Sequence, residues 1–168
     1  MINYEESGDI TTHLPVLYTI TRALKPKVIL EIGIRKGVST KAFAMAIHEG
    51  GFNCEHHCCD IDPKCIRVIE RYNGIPYIMD SEKLAEQWDK EIDILFIDGC
   101  HEYGHVKKDY LNFRDFVRKD GIIFFHDTFP GKWKDNPERC YTVYKILDDI
   151  EEEHVTLPYQ NGLTICRK

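Results

Sequence analysis

Apolar residues along this chain gather into short unbroken runs, each delivered to a few polar or glycine residues. Val28-Ile29-Leu30 leads to Glu31-Ile32-Gly33, Ile92-Asp93-Ile94-Leu95-Phe96-Ile97 to Asp98-Gly99, and Gly121-Ile122-Ile123-Phe124-Phe125 to His126-Asp127. Runs without strict alternation suit strands buried on both faces of a parallel sheet. Further strands are expected at residues 52–62 and 75–79, the second after an Asn73-Gly74 turn. Between the strands the spacing changes to that of helices. Leu14, Leu17, Ile20 and Leu24 predict a leading helix over 9–24, stopped by Lys25-Pro26. Ser39 or Thr40 helps to start a helix whose body runs through 41–47, and Gly50-Gly51 breaks it. Helices are also predicted over 63–72, 82–88 and from about 101 to 117. A last one covers 140–153, with Val143, Ile146, Leu147 and Ile150 as its buried stripe. Residues 155–159 and 163–166, joined around Asn161-Gly162, read as a hairpin.

Strands alternating with helices, followed by a hairpin, predict an α/β fold. The expected form is a seven-stranded, mostly parallel sheet with helices on both faces and an antiparallel strand from the hairpin. A length of 168 residues suits one domain. Residues 1–25 are read as a leading helix packed on the sheet edge or, as a family resemblance suggests, lying over the site as a lid, and residues 26–168 as the core.

The 43% hydrophobic and 30% charged content is that of a globular protein. A net charge of -6, with no basic block longer than Lys107-Lys108, argues against gripping a nucleic-acid backbone. No signal peptide or membrane-length apolar run is visible, so a cytoplasmic location is expected. Seven cysteines, an odd number, favour reduced thiols over a disulfide framework. The cluster Cys54-Glu55-His56-His57-Cys58-Cys59 fits no C-x-x-C pairing. It falls on a predicted strand whose alternate residues face opposite ways, so buried thiols are expected there rather than zinc.

Candidate chemistry begins at Glu31-x-Gly33-x-x-x-Gly37. Gly33 permits a tight turn after the first strand, and Gly37 lets the backbone approach a ligand or the next helix. Strand, glycine loop and helix is how open α/β sheets build a nucleotide site at the carboxyl ends of their strands. The dinucleotide spacing G-x-G-x-x-G is absent, and a carboxylate beside the loop repels phosphate but suits the cationic amine of an aminoacyl group. Asp60, ending the second strand, can accept two parallel hydroxyls, while Asp62 before Pro63 serves as a helix cap. Two buried strands that each deliver an acid to one edge, Asp98 and Asp127, need a reason, because burying an unpaired carboxylate is costly.

The glycine loop resembles motif I of the class I S-adenosylmethionine-dependent methyltransferases. Phe96-Ile97-Asp98-Gly99-Cys100-His101-Glu102-Tyr103, followed by Gly121-Ile122-Ile123 and Asp127, resembles the branch of small-molecule O-methyltransferases acting on sugars and macrolides. The resemblance implies a cofactor site made of Glu31, Gly33, Arg35, Gly37, Asp60, Ile61, Asp80, Ser81 and Asp98. Asp60 would take the ribose, and Asp80 and Ser81 the adenine amino group. It implies methyl transfer to a hydroxyl of a small-molecule acceptor, with Asp98 and Asp127 as ligands of a magnesium ion. His126 stands where the sugar branch often has an acid, and Thr128 where catechol-type relatives have Asn, which weakens magnesium, a metal of oxygen ligands. Without metal the general base is His126 or His101, with His126 slightly favoured. Nucleic-acid methylation lacks its motifs here. A non-catalytic methyltransferase-like binding module, or another nucleotide-cofactor enzyme on the same fold, is the alternative, and a homodimer is open to the chain.

Overall fold

The computed structural model describes residues 9–129 and 141–168. Its strands are β1 (Val28–Ile32), β2 (Glu55–Asp60), β3 (Ile75–Ile78), β4 (Ile92–Ile97), β5 (Val117–His126), β6 (Glu153–Leu157) and β7 (Leu163–Arg167). They form one sheet in the order β3-β2-β1-β4-β5-β7-β6. The first five are parallel, and β7 runs antiparallel to both β5 and β6. This is a Rossmann-like, doubly wound sheet with an antiparallel strand inserted near one edge. The strand order reverses between β1 and β4, and the carboxyl ends of these neighbours open the crevice where such sheets take ligands.

The helices are α1 (Leu14–Leu24), α2 (Val38–Gly50), α3 (Ile66–Arg71), α4 (Ser81–Ala85) and α5 (Tyr103–Phe113). The period of two along each strand sends neighbours to opposite faces. Leu30, Leu95, Ile97, Ile123 and Phe125 meet Tyr110 and Phe113 of α5, with Leu84 of α4, on one face. On the other, Ile29, Ile94, Phe96 and Phe124 meet Leu14 and Leu17 of α1 and Phe43 of α2. Because both faces are covered, the strands carry apolar residues almost throughout.

The leading segment is part of this core. A 3-10 turn, Asp9–His13, feeds α1, and Ile10, Leu14 and Leu17 are buried against the sheet. Among its described residues none lines either of the two cavities at the sheet edge, and those residues pack on the sheet. The predicted helix over 140–153 is replaced, among the described residues, by a 3-10 segment at Val143–Asp148. Val143 and Ile146 are its buried contacts, a spacing that a three-residue turn satisfies as well as an α-helix does. After β5, Phe129 is described and half-exposed, and residues 130–133, which with it the sequence offers as a loop bordering the acceptor pocket, lie outside the described residues. Among the described residues no helix is long and apolar enough to cross a membrane.

Candidate active site

Gly33 adopts φ +90°, and a Cβ there would lie 2.3 Å from the Asp98 carbonyl oxygen and 2.6 Å from the Gly99 Cα. Only hydrogen fits where the β1 loop passes the β4 loop. The turn is then fixed from β2. The Asp60 carboxylate accepts from the backbone N–H of Ile34 (2.8 Å), Arg35 (3.0 Å) and Asp62 (2.8 Å). Burial raises the pKa of Asp60, but the N–H groups of Arg35, Asp62 and Ile34 outweigh it and hold the carboxyl below its usual value. Asp62 caps the following turn through the Lys64 N–H, as its place before Pro63 predicts.

Two adjoining cavities share Gly33, Asp60 and Gly99. The first, about 230 Å³, is lined by Ile61, Met79, Asp80, Ser81, Cys100, His105 and Asp109 among others. The second, about 340 Å³, is bordered by Arg35, Asp62, Asp98, His101, Asp127 and Tyr141. Asp80 caps α4 through the Glu82 N–H and still borders the first cavity, so its two expected roles coexist.

Two of the expected cofactor residues have other work. Glu31 is fully buried and turned away from the edge. Ser39 Oγ (2.5 Å) and Thr40 Oγ1 (3.1 Å) donate to one of its oxygens, and His56 Nε2 lies 2.8 Å from the other. The carboxylate ties the start of α2 to β1 and β2 and lines neither of the two cavities. Gly37, at φ +72°, lies in neither cavity; a Cβ there would meet Val68 Cγ1 at 2.1 Å, so its smallness serves helix packing.

At the far end of the second cavity β4 and β5 bring four polar side chains together. His126 Nδ1 sits between Asp98 Oδ1 (3.2 Å) and Asp127 Oδ1 (3.4 Å), and His101 Nε2 lies 3.1 Å from Asp127 Oδ2. Burial would lower the pKa of His126, but the charges of Asp98 and Asp127 overcome it and lift the imidazole to about 10. The His126 contact, with a hydrogen bond from Asn161, holds Asp127 low against burial, whereas burial dominates at Asp98 and raises it. His126 is therefore a buried imidazole between two acids that favour its charged form. The two acids favour the charged imidazole, which counts against His126 as the general base. His101 borders the cavity, is a third exposed, and stacks on Tyr141 with ring centroids 4.5 Å apart. Asp127 itself holds a left-handed backbone, φ +61°, at a position where side chains rarely sit.

Three residues at the site escape sequence reasoning. Asp109 is buried beside the first cavity, where it accepts from Ser81 Oγ at 2.5 Å, and burial lifts it to about 6 despite that bond. Its signal was present: a carboxylate falls on the buried stripe Val106, Tyr110, Phe113 of α5. His13 is buried, with Nε2 3.0 Å from the Tyr159 carbonyl and its ring edge-on to His126. Tyr141 comes from a loop that no local pattern assigns to the site.

Comparison with known proteins agrees with this geometry. Residues 30–128 match the family described as Methyltransferase domain. A protein of Sinorhizobium fredii is 25% identical over 170 residues, covering 90% of this chain and 18% of its own length. One of Acanthamoeba polyphaga mimivirus is 42% identical over 75 residues, covering 45% of this chain and 33% of its own. The chain thus spans a third or less of the curated relatives it matches. Among solved structures, a Podospora anserina methyltransferase bound to SAH superposes with TM-score 0.71 at 21% identity, covering 98% of this chain and 80% of that one. The Bacillus cereus O-methyltransferase in complex with SAH gives 0.69 at 17%, covering 99% and 84%. The O-methyltransferase TomG of Streptomyces achromogenes, in complex with SAM, gives 0.72 at 12%, covering 94% and 79%. With a glycine loop clasped by Asp60, a strand reversal above it and a profile match over most of the core, this chain belongs to the methyltransferase domain family.

Proposed function

We propose that the chain is an S-adenosylmethionine-dependent methyltransferase that transfers the methyl group to a hydroxyl oxygen of a small molecule. The observation that carries this reading is the pair of joined cavities. One is walled by hydrogen-bond acceptors suited to a nucleoside, and the other ends in an acid–imidazole cluster. Adenosine presents its hydroxyls and amino group as donors. Asp60, whose oxygens keep lone pairs beyond those used by the loop, is placed for the ribose, and Asp80 and Ser81 for the adenine. Gly33 and Arg35 line the second cavity, where the methionine part and the sulfonium would lie.

The sulfonium is already an activated leaving group, so the protein has two tasks: to align an oxygen opposite the S–CH3 bond and to remove its proton. An oxygen lone pair forms the new C–O bond while the S–C pair returns to sulfur, leaving a neutral thioether. His101 is placed to take the hydroxyl proton. Its Nε2 faces Asp127, which orients the ring, and Nδ1 is then the accepting nitrogen. His126, whose charged form the two acids favour, lies between Asp98 and Asp127 and helps to hold them. Magnesium seeks a near-octahedral shell of oxygens, and an imidazole between two carboxylates is a poor match to it. A small-molecule acceptor, a cytoplasmic site of action and a homodimer belong to the same proposal.

Calorimetric titration with S-adenosylhomocysteine tests the reading. Saturable binding is expected, with NAD giving none, and Asp60→Ala is expected to weaken it by roughly tenfold or more. Absence of binding by the folded wild-type protein would overturn the cofactor assignment.

A further inference from the structure

We infer that Asp109 is a positioning residue of the nucleoside site: it holds the Ser81 hydroxyl proton in a hydrogen bond, so that Ser81 offers the first cavity only lone pairs, and the cavity thereby selects adenine over hypoxanthine. The inference rests on the proposed function in taking the first cavity as the place of the purine ring. Ser81 and Asp109 both line that cavity. Ser81 Oγ donates to Asp109 Oδ1 at 2.5 Å, and among the described residues it is the one hydrogen-bond donor to this carboxylate.

Two packed helices hold the pair. Ser81 is the first residue of α4, and Asp109 lies on α5 beside the buried Val106, Tyr110 and Phe113. Leu84 of α4 is enclosed with Tyr110 and Phe113, which fixes one helix against the other. Asp109 is itself buried, 4% exposed. Tying α4 to α5 does not call for a carboxylate, because an amide would accept the same hydroxyl without the cost of burying a charge. Burial lifts the group to about 6 despite the Ser81 bond, so it is ionised at neutral pH and can only accept.

A serine hydroxyl has one proton and two lone pairs, so alone it serves a donor and an acceptor equally well. Bonded to a buried, ionised acid, Ser81 cannot turn its proton to a ligand without leaving that charge unpaired, which is costly. Asp80, on the same wall, is an acid whose Oδ1 already accepts from the Glu82 N–H. The wall made by Asp80, Ser81 and Asp109 therefore presents acceptors. Adenine brings an amino group, a donor, to such a wall. Hypoxanthine brings an oxygen to the same position and sets lone pairs against lone pairs. A site built around a hydrogen bond rejects the analogue lacking its partner far more strongly than shape alone does.

The test is calorimetric titration at about pH 8, above the Asp109 transition, with S-adenosylhomocysteine and S-inosylhomocysteine. The two compounds differ in an amino group against an oxygen on the purine, and in the proton on the neighbouring ring nitrogen. Wild type is expected to prefer the adenosine compound by roughly thirtyfold or more. Asp109→Asn keeps the shape, but its amide can donate to Ser81 Oγ and free the hydroxyl proton for the ligand. That preference is expected to fall by roughly fivefold or more, with the inosine compound bound more tightly than by wild type. Ser81→Ala is expected to lose a similar share of the preference, by weakening the adenosine compound. An acid that only braced α4 against α5 would weaken both compounds together and leave their ratio unmoved. An unchanged ratio in Asp109→Asn would thus overturn the inference. So would an unchanged ratio in Ser81→Ala, a result that decides the matter even where Asp109→Asn does not fold. Binding of S-adenosylhomocysteine with an unmoved ratio refutes this inference alone, whereas a folded wild type that binds neither compound refutes the proposed function with it.

Discussion

Between Asp98 and Asp127 the imidazole of His126 behaves as a structural cation. Both acids come from strands that would otherwise end in two like charges a few ångströms apart, and one proton on His126 makes the group tolerable. Removing one partner from a buried charged group leaves the others unpaired, which costs about 3–5 kcal/mol. His126→Gln is therefore expected to lower unfolding stability at pH 7 by about 3 kcal/mol, measured by urea denaturation. A loss within experimental error would show that the two acids do not need the charge. The sequence shows that Asp98, His101, His126 and Asp127 belong together, because each follows an apolar run to the same sheet edge. It does not show which imidazole is cationic, since that depends on distances between residues of β4 and β5. Glu31 carries a similar lesson. Its spacing to Gly33 is visible in the chain, but its partners Ser39, Thr40 and His56 meet it only in the folded molecule.

At the level of elements, apolar runs and their terminators made all seven strands legible, with boundaries moved by a few residues. β5 begins at Val117, earlier than residue 120, because pairing with β4 continues past a register shift between Ile92 and Ile94. The leading helix is also legible, but its job is not, because an amphipathic stripe fits a lid and a core helix equally well. Burial shows the packing of its described part: Leu17 is fully enclosed with Phe43, Phe96 and Phe124. Leu17→Ala is expected to cost about 2–5 kcal/mol, read as a lower melting temperature, with S-adenosylhomocysteine affinity little changed. A lid residue would give the opposite pattern, small loss of stability and clear loss of affinity. The segment 143–148 was misjudged as an α-helix for a different reason. Its two deeply buried residues are three apart, and its neighbouring loop is tied across to the site by Thr142, whose N–H donates to the His101 carbonyl and whose hydroxyl accepts from the Tyr103 N–H.

For the whole molecule these groups combine into a stability profile against pH. Asp60, Asp93 and Asp127 have folded pKa values below the unfolded ones, so the stability they give is present above about pH 4 and lost as pH falls. Asp109 acts in the other direction. Its folded value of about 6 exceeds the unfolded value of about 4, so stability declines as pH rises between them, by roughly 2–3 kcal/mol. His126, at about 10 when folded and about 6.5 when unfolded, adds stability that is fully present below the lower value and is lost as pH climbs through the upper one. Maximum stability is expected on the acidic side, near pH 4, and Asp109→Asn is expected to flatten the decline between about pH 4 and 6. Urea midpoints measured across pH check both statements. A plateau in wild type from pH 4 to 8 would contradict the burial assigned to Asp109.

The strand order β5-β7-β6 also bears on how the chain is made. β5 carries Phe124 and Phe125 and ends at His126, yet its outer neighbour, β7, begins only at Leu163. Until those residues have been synthesised, the reacting end of β5 is an open apolar edge, a template on which another nascent chain can pair. The vulnerable period of this protein is thus during translation, and crowding of ribosomes on one message would be a hazard that the finished, seven-stranded sheet no longer faces.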